Sequence, residues 1–274
     1  MKQYILIFAA CSLLLCCHHK HEPEEEPEPD PRVLFYLPCV VCEEEWPPEE
    51  PTCQCDLVWD YPIKPGTDEW EQFRFNKTHQ EMVNMLQIPE EIVFSLSTED
   101  LAEICFHHPH FMGLIAGGSS FVLNFDRFLS EFNGVRELFK REDVLKVLLK
   151  RHRCAMMKLK YEFETLSEKQ RAEMFLGSVF PLEVLLGFCQ SQNKEDYIEI
   201  LQHLICGGVI QAKTRGSVFN PNLFSLAHII IKIDEQNIEK FTWGEGNSVF
   251  KLGNVIDNQT PQLILDLSCQ YIAN

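Results

Sequence analysis

Four cysteines stand as two close pairs, Cys39-Val40-Val41-Cys42 and Cys53-Gln54-Cys55, with an acidic, proline-rich stretch between them. As thiolates at this spacing they can close a tetrahedral shell around zinc. In an oxidising compartment the same four residues form disulfides that staple a segment too small to own a core. A redox pair within the CxxC is a third use, although the motif does not open a helix after a strand. His107-His108-Pro109-His110 places three imidazoles in four residues. Pro109 parts the last from the first two, no carboxylate is read at a helpful helical offset, and the stretch reads as a helix end. His18, His19 and His21 form a second, weaker cluster. Ala116-Gly117-Gly118-Ser119-Ser120 offers amides at a helix start, but it lacks the spacing of a phosphate-binding loop and reads as a helix–helix connection. The chain has no Gly-x-Ser-x-Gly and no HExxH. Glu and Asp pairs abound on polar faces, and acids for glycoside hydrolysis would have to converge in three dimensions. No catalytic residue and no cofactor site is assigned. One basic run stands out: Lys140, Arg141, Lys146, Lys150, Arg151, Arg153, Lys158 and Lys160. Read as a helix, these spread around it, with Leu145 and Leu149 on the buried side. A solvated helix is one reading, and docking onto an acidic partner or the chain's own acidic tail is the other.

The beginning of the chain supplies the compartment. Met1-Lys2-Gln3 is a short positive start, and the apolar run Tyr4 to Leu15 is too short for the about 20 residues of a membrane-spanning helix. It fits the apolar region of a secretory signal, and residues 1–17 are read as one. The run stops at Cys16-Cys17, followed by His18-His19-Lys20-His21. A cysteine at this junction resembles a bacterial lipoprotein signal, with Cys17 or Cys16 as the lipidated first mature residue, although neither has a small residue before it. That resemblance implies a palmitate-type lipid anchor and the membrane as partner. Glu22-Pro23-Glu24-Glu25-Glu26-Pro27-Glu28-Pro29-Asp30-Pro31 follows. Four prolines and repelling like charges forbid helix and sheet ladders, so residues 18–32 make an extended tether. Acidic residues so close to the cysteine resemble the surface-export signal of Bacteroidetes lipoproteins, which implies the outer membrane, facing outward. A plain solvated spacer is the other reading.

Charge agrees with this division. The whole chain carries −17, and its first 50 residues hold 11 acidic against 3 basic side chains. A balance this acidic argues against nucleic acid as a partner. Residues 33–66 form the cysteine-rich neck, and 67–274 the domain. With 274 residues, 45% of them hydrophobic and 20 of them Phe, a sizeable core is available.

From Trp70 onward the period is helical. Phe121, Phe125, Phe128, Leu129 and Phe132 make one apolar stripe, and Leu145, Leu149 and Met156 another on a long helix near 141–160. Further stripes run through Leu182, Leu185, Leu186 and Cys189; Tyr197, Leu201, Leu204 and Ile205; Leu223, Leu226, Ala227 and Ile230; and Leu263, Leu267 and Tyr271. Thr78 with Glu81 and Ser167 with Gln170 have capping-box spacing, and Ser97 with Asp100 a weaker form. Pro89, Pro181, Pro221 and Pro261 suit first helical turns, and Asn133-Gly134 and Gly207-Gly208 suit helix stops. Val209-Ile210, Phe241-Thr242-Trp243 and Val249-Phe250-Lys251-Leu252 are read as loops or distorted turns. Cys105, Cys154, Cys189, Cys206 and Cys269 stand singly and read as small buried hydrophobes. The expectation is an all-α fold, an irregular array of helix pairs, either a HEAT- or armadillo-like stack or a multi-helix bundle.

One string of words goes further. Trp70, Gln87-Ile88-Pro89-Glu90, Leu96-Ser97-Thr98-Glu99-Asp100-Leu101, Cys105, Pro109-His110-Phe111, Phe132-Asn133-Gly134, Arg136-Glu137-Leu138, Arg141-Glu142-Asp143 and Leu148-Leu149 resemble an uncharacterised helical domain of Bacteroidales secreted proteins and lipoproteins. The match covers about residues 70–155 and brings no activity with it. The functional expectation is an envelope-anchored, non-enzymatic helical module that captures a protein or glycan ligand. The alternative is a hydrolase or glycan-active enzyme whose acids meet only on folding.

Overall fold

The computed structural model describes residues 58–109, 111, 127–191, 193–215, 220–243, 249–250 and 259–274. The chain divides into two units, Met1–Asp30 and Pro31–Asn274, and every described residue belongs to the second. That unit is all-α. Its helices are α1 (Asp68–Asn76), α2 (His79–Met85), α3 (Glu90–Val93), α4 (Thr98–Phe106), α5 (Asn133–Leu138) and α6 (Val144–Glu162). They continue with α7 (Glu168–Met174), α8 (Phe180–Phe188), α9 (Lys194–Arg215), α10 (Asn220–Ile233), α11 (Ile238–Phe241) and α12 (Gln259–Ala273).

Their starts follow from local hydrogen bonding. Before α2, Thr78 Oγ1 accepts from the Glu81 amide at 3.3 Å while the Glu81 carboxylate accepts from the Thr78 amide at 2.8 Å, a complete capping box. Ser167 and Gln170 do the same before α7, and the Ser97 hydroxyl accepts from the Asp100 amide before α4. Pro181 sits in the first turn of α8, and Pro221 and Pro261 lie near the starts of α10 and α12. Pro89 caps α3 from just outside it.

Packing partners sort the larger helices into two layers. In one, α6 lies beside α9 and α9 beside α12; in the other, α8 lies beside α10. Contacts of α6 with α8, α9 with α10 and α10 with α12 close the layers on each other, an array of helix pairs. At the other end α4 packs on α5 and on α6. One core runs through the described helices, from Tyr61 and Trp70 to Ile264 and Leu265. Between α7 and α8 the segment Phe175–Val179 is a π-helix, with a wider turn than the α-helix on either side.

Three expectations are corrected. Gly207-Gly208 does not stop a helix but lies inside α9, as does Val209-Ile210. A Cβ at Gly207 would stand 2.7 Å from Cε1 of His152, so the glycine serves close approach to α6 rather than termination. Asn133-Gly134 begins α5, and Gly134 lets Ile88 pack at a distance that a Cβ would invade, 2.5 Å from Ile88 Cδ1. Thr242-Trp243 pairs antiparallel with Val249-Phe250, a two-residue ladder where loops were expected. Tyr61, on the neck side of residue 67, is buried in the same core. No helix among the described residues is long and apolar enough to cross a membrane.

Candidate functional site

Two polar features stand out from the apolar body, a sealed seam between the layers and an open groove beside it. The seam is built where α6, α8, α9 and α10 meet. Glu183 on α8, in the first turn after Pro181, is fully buried, as are His152 on α6, Gln211 on α9, and Asn222 and Ser225 on α10. Oε1 of Glu183 accepts from Nε2 of Gln211 and, at 2.8 Å, from Nδ2 of Asn222. Asn222 also donates to the Leu204 carbonyl at 2.8 Å, and the Ser225 hydroxyl to the backbone carbonyl of Glu183 at 2.6 Å. Nε2 of His152 stands 3.7 Å from the same carboxylate oxygen. A buried carboxylate is tolerated only when donors surround it, and here α9 and α10 supply them, with the His152 ring of α6 close by. Gly187 leaves room for this arrangement, since a Cβ there would meet Ser225 at 2.8 Å.

The groove, of about 550 Å³, runs between α6 and α9. Glu142 and, along α6, Leu145, Lys146, Leu149, Lys150 and Arg153 form one wall; Asp196, Glu199 and His203 of α9 form the other. The basic positions of α6 circle the helix as a set, yet Lys146, Lys150 and Arg153 recur at i, i+4 and i+7 and therefore share a face. Arg151, on another side, is buried and donates to Glu103 at 2.8 Å, and Lys150 reaches Glu99 at 3.0 Å. Asp196 accepts from the Ser191 hydroxyl. Among the described residues Lys146, Glu142 and Glu199 enter no ion pair. His203 joins groove to seam, its ring 6.3 Å from that of His152. Burial, and then the neighbouring His152 and Arg153, push His203 down to about 3, so it meets the groove as a neutral imidazole.

The residues singled out by spacing fare differently. Cys16 and Cys17, the neck cysteines Cys39, Cys42, Cys53 and Cys55, the histidines 18, 19, 21 and 110, and the stretch 116–120 all lie outside the described residues. His107 and His108 part company. His107 is exposed with Nε2 3.3 Å from Glu103, a carboxylate at the helical offset thought empty. His108 is buried against Tyr61, Phe128 and Phe132, with ring centroids 4.8, 4.9 and 4.1 Å away. Among the described residues no group of three or more His, Cys, Asp or Glu side chains is gathered to hold a metal ion. Cys105 and Cys189 are free and buried, as small hydrophobes should be, and burial pushes the Cys189 thiol up to about 12, against the pull of Lys232. Cys154, Cys206 and Cys269 correct that reading, because each is disulfide-bonded. Lone cysteines on separate helices carry no sign of which thiols will meet.

Compared with family models, curated proteins and solved structures, the chain matches none.

Proposed function

We propose that this chain is an exported, lipid-anchored helical module that captures a ligand in the groove between α6 and α9 and performs no chemistry on it. The carrying observation is the groove's charge, with Lys146, Lys150 and Arg153 on one wall and Asp196 and Glu199 on the other. Walls of opposite sign over the apolar Leu145 and Leu149 suit an extended ligand that itself carries both charges, such as a peptide segment. Lys146 and Glu199 are left for such a ligand to pair. Anchorage draws on the leader, Cys16 or Cys17, and the acidic tether. Three disulfide-bonded body cysteines add support, since disulfides persist in oxidising compartments.

Binding is tested with the full chain and fluorescent decapeptides, one half Asp-rich and half Lys-rich, the others all Asp or all Lys. The mixed peptide binds best, and Lys146→Glu with Glu199→Lys weakens it at least tenfold. Equal binding by the variant would remove the groove from the reading. Anchorage is tested with a clickable fatty acid in cells: Cys17→Ser or Cys16→Ser abolishes the label, and survival of the label in both would overturn the anchor.

A hydrolase or glycan-active enzyme is the second reading, and one observation favours it, the pairing of His152 with Glu183. Both side chains are fully buried, however, and the groove's lining ends at His203. Holding the layers together accounts for the pair.

A further inference from the structure

A second groove, of about 720 Å³, runs between α2 and α5 with the start of α3 at its side. It shares no lining residue with the groove between α6 and α9. Its floor is closed and braced. Val83 and Ile88 are buried there, and the amide side chains of Gln87 and Asn133 are engaged with backbone. Gln87 donates to the Val83 carbonyl at 2.8 Å and the Glu131 carbonyl at 3.0 Å, and Asn133 holds Ile88 by both its amide and its carbonyl. The shape is therefore set before any ligand arrives. The rim is polar. Gln80 Nε2 donates to Asn84 Oδ1 at 3.0 Å, an i, i+4 pair that still presents Gln80 Oε1 as an acceptor and N–H groups of both residues as donors. The Glu131 carboxylate is occupied by His79 and Arg127, at 2.9 and 2.8 Å. Arg136 donates from one nitrogen to the Ser130 carbonyl at 2.7 Å and keeps further N–H donors. Among the described residues Arg136 and Glu90 enter no ion pair, so the rim presents one charge of each sign. Phe94 stands four residues after Glu90, its amide donating to the Glu90 carbonyl at 3.3 Å, so both side chains leave α3 on the same side. Its ring is 64% exposed.

We propose that this groove binds a neutral, hydroxyl-rich ligand, a short oligosaccharide. Every sugar hydroxyl both donates and accepts, and the rim supplies both roles side by side. The acceptor and donors of Gln80 and Asn84 meet neighbouring hydroxyls of one ring, while Arg136 and Glu90 meet those of the next as donor and acceptor. The electron-rich face of Phe94 receives the C–H face of a pyranose. A rim with one charge of each sign draws no ligand of a single sign. A peptide would need an unpaired strand edge for its main chain or an apolar groove for its anchors, and α2, α3 and α5 supply neither. The inference stands apart from the reading of the groove between α6 and α9 and does not depend on it.

The test is calorimetric titration of the full chain with hexamers of glucose, mannose, xylose and galactose at millimolar concentration. Hexamers of galacturonic acid and of glucosamine, each of one charge sign, run beside them. The expected result is that a neutral hexamer binds and that both charged ones bind at least tenfold more weakly. Asn84 and Phe94 are exposed, so Asn84→Ala and Phe94→Ala leave the thermal midpoint unchanged while each weakens the neutral hexamer at least tenfold. Lys146→Glu with Glu199→Lys binds that hexamer as the unaltered chain does. Binding of no neutral hexamer, tighter binding of a charged one, or full binding by Asn84→Ala and Phe94→Ala would overturn the inference and leave the groove between α6 and α9 untouched. Loss of saccharide binding in Lys146→Glu with Glu199→Lys would overturn it by moving the saccharide to that other groove.

Discussion

The helices α1 to α5 and the seam among α6, α8, α9 and α10 both place polar groups inside an apolar body, and they do it in opposite ways. In the first region polar side chains serve the backbone. Asn133 Oδ1 accepts from the Ile88 amide at 3.0 Å and Nδ2 donates to its carbonyl at 2.6 Å, while Gln87 Oε1 accepts from the Asn133 amide at 2.9 Å. The buried histidine there, His108, is surrounded by aromatic rings. In the seam, side chains from three other helices approach one carboxylate. Backbone service secures one helix end at a time, within a single helix at Thr78 and Glu81 and between two segments where Asn133 holds Ile88. A shared carboxylate makes four helices depend on one residue, so the seam specifies how the layers sit together.

The sharpest way to break the comparison is Glu183→Ala. It removes the acceptor for Gln211 and Asn222 and leaves a void, with an expected loss of about 3–5 kcal/mol in urea unfolding. A loss below about 1 kcal/mol would mean that the seam does not bind the layers. The next effect is pH dependence. Burial, chiefly, holds His203 and His228 down at about 3, against an ordinary value near 6.5. Their depressed values put the linkage below neutrality. At pH 7 folded and unfolded chains both hold these rings neutral; between about 6.5 and 3 only the unfolded chain binds the protons, so stability falls as pH falls. The slope approaches about 1.4 kcal/mol per pH unit for each histidine. Unfolding at pH 7 and pH 5 checks it, and His228→Gln flattens the difference. The smallest effect belongs to the other region: Thr78→Ala opens the capping box and costs about 1 kcal/mol by the same measurement. The loss stays local, whereas Glu183→Ala should also loosen amide-exchange protection in α6, α9 and α10.

The same contrast explains what could be read from the sequence. Thr78 with Glu81, Ser167 with Gln170 and the stripes of α6 and α9 announce themselves because their partners lie three or four residues away. Glu183, His152, Gln211 and Asn222 announce nothing, because each looks like an isolated polar residue in an apolar stretch until the helices pack. A buried Glu two residues after Pro181, among Leu182, Val184, Leu185 and Leu186, was the one available signal. Gly207 misled for a related reason: a glycine that admits a neighbouring ring has the same letter as one that ends a helix. The groove was half visible. Lys146, Lys150 and Arg153 could be counted along α6, but the opposing Asp196 and Glu199 come from a helix some fifty residues later.

The π-helical turn Phe175–Val179 has a bearing on all of this. A wide turn holds a residue that an α-helix would not accommodate, and so it sets the rotational phase of whatever follows. Each residue of an α-helix turns the chain by about 100°. Deleting Gly177, which is exposed, would therefore spin α8, its own apolar stripe included, until Glu183 faced a different neighbour. The angular setting of the body's central carboxylate is thus stored upstream, in the wide turn that leads directly into its helix.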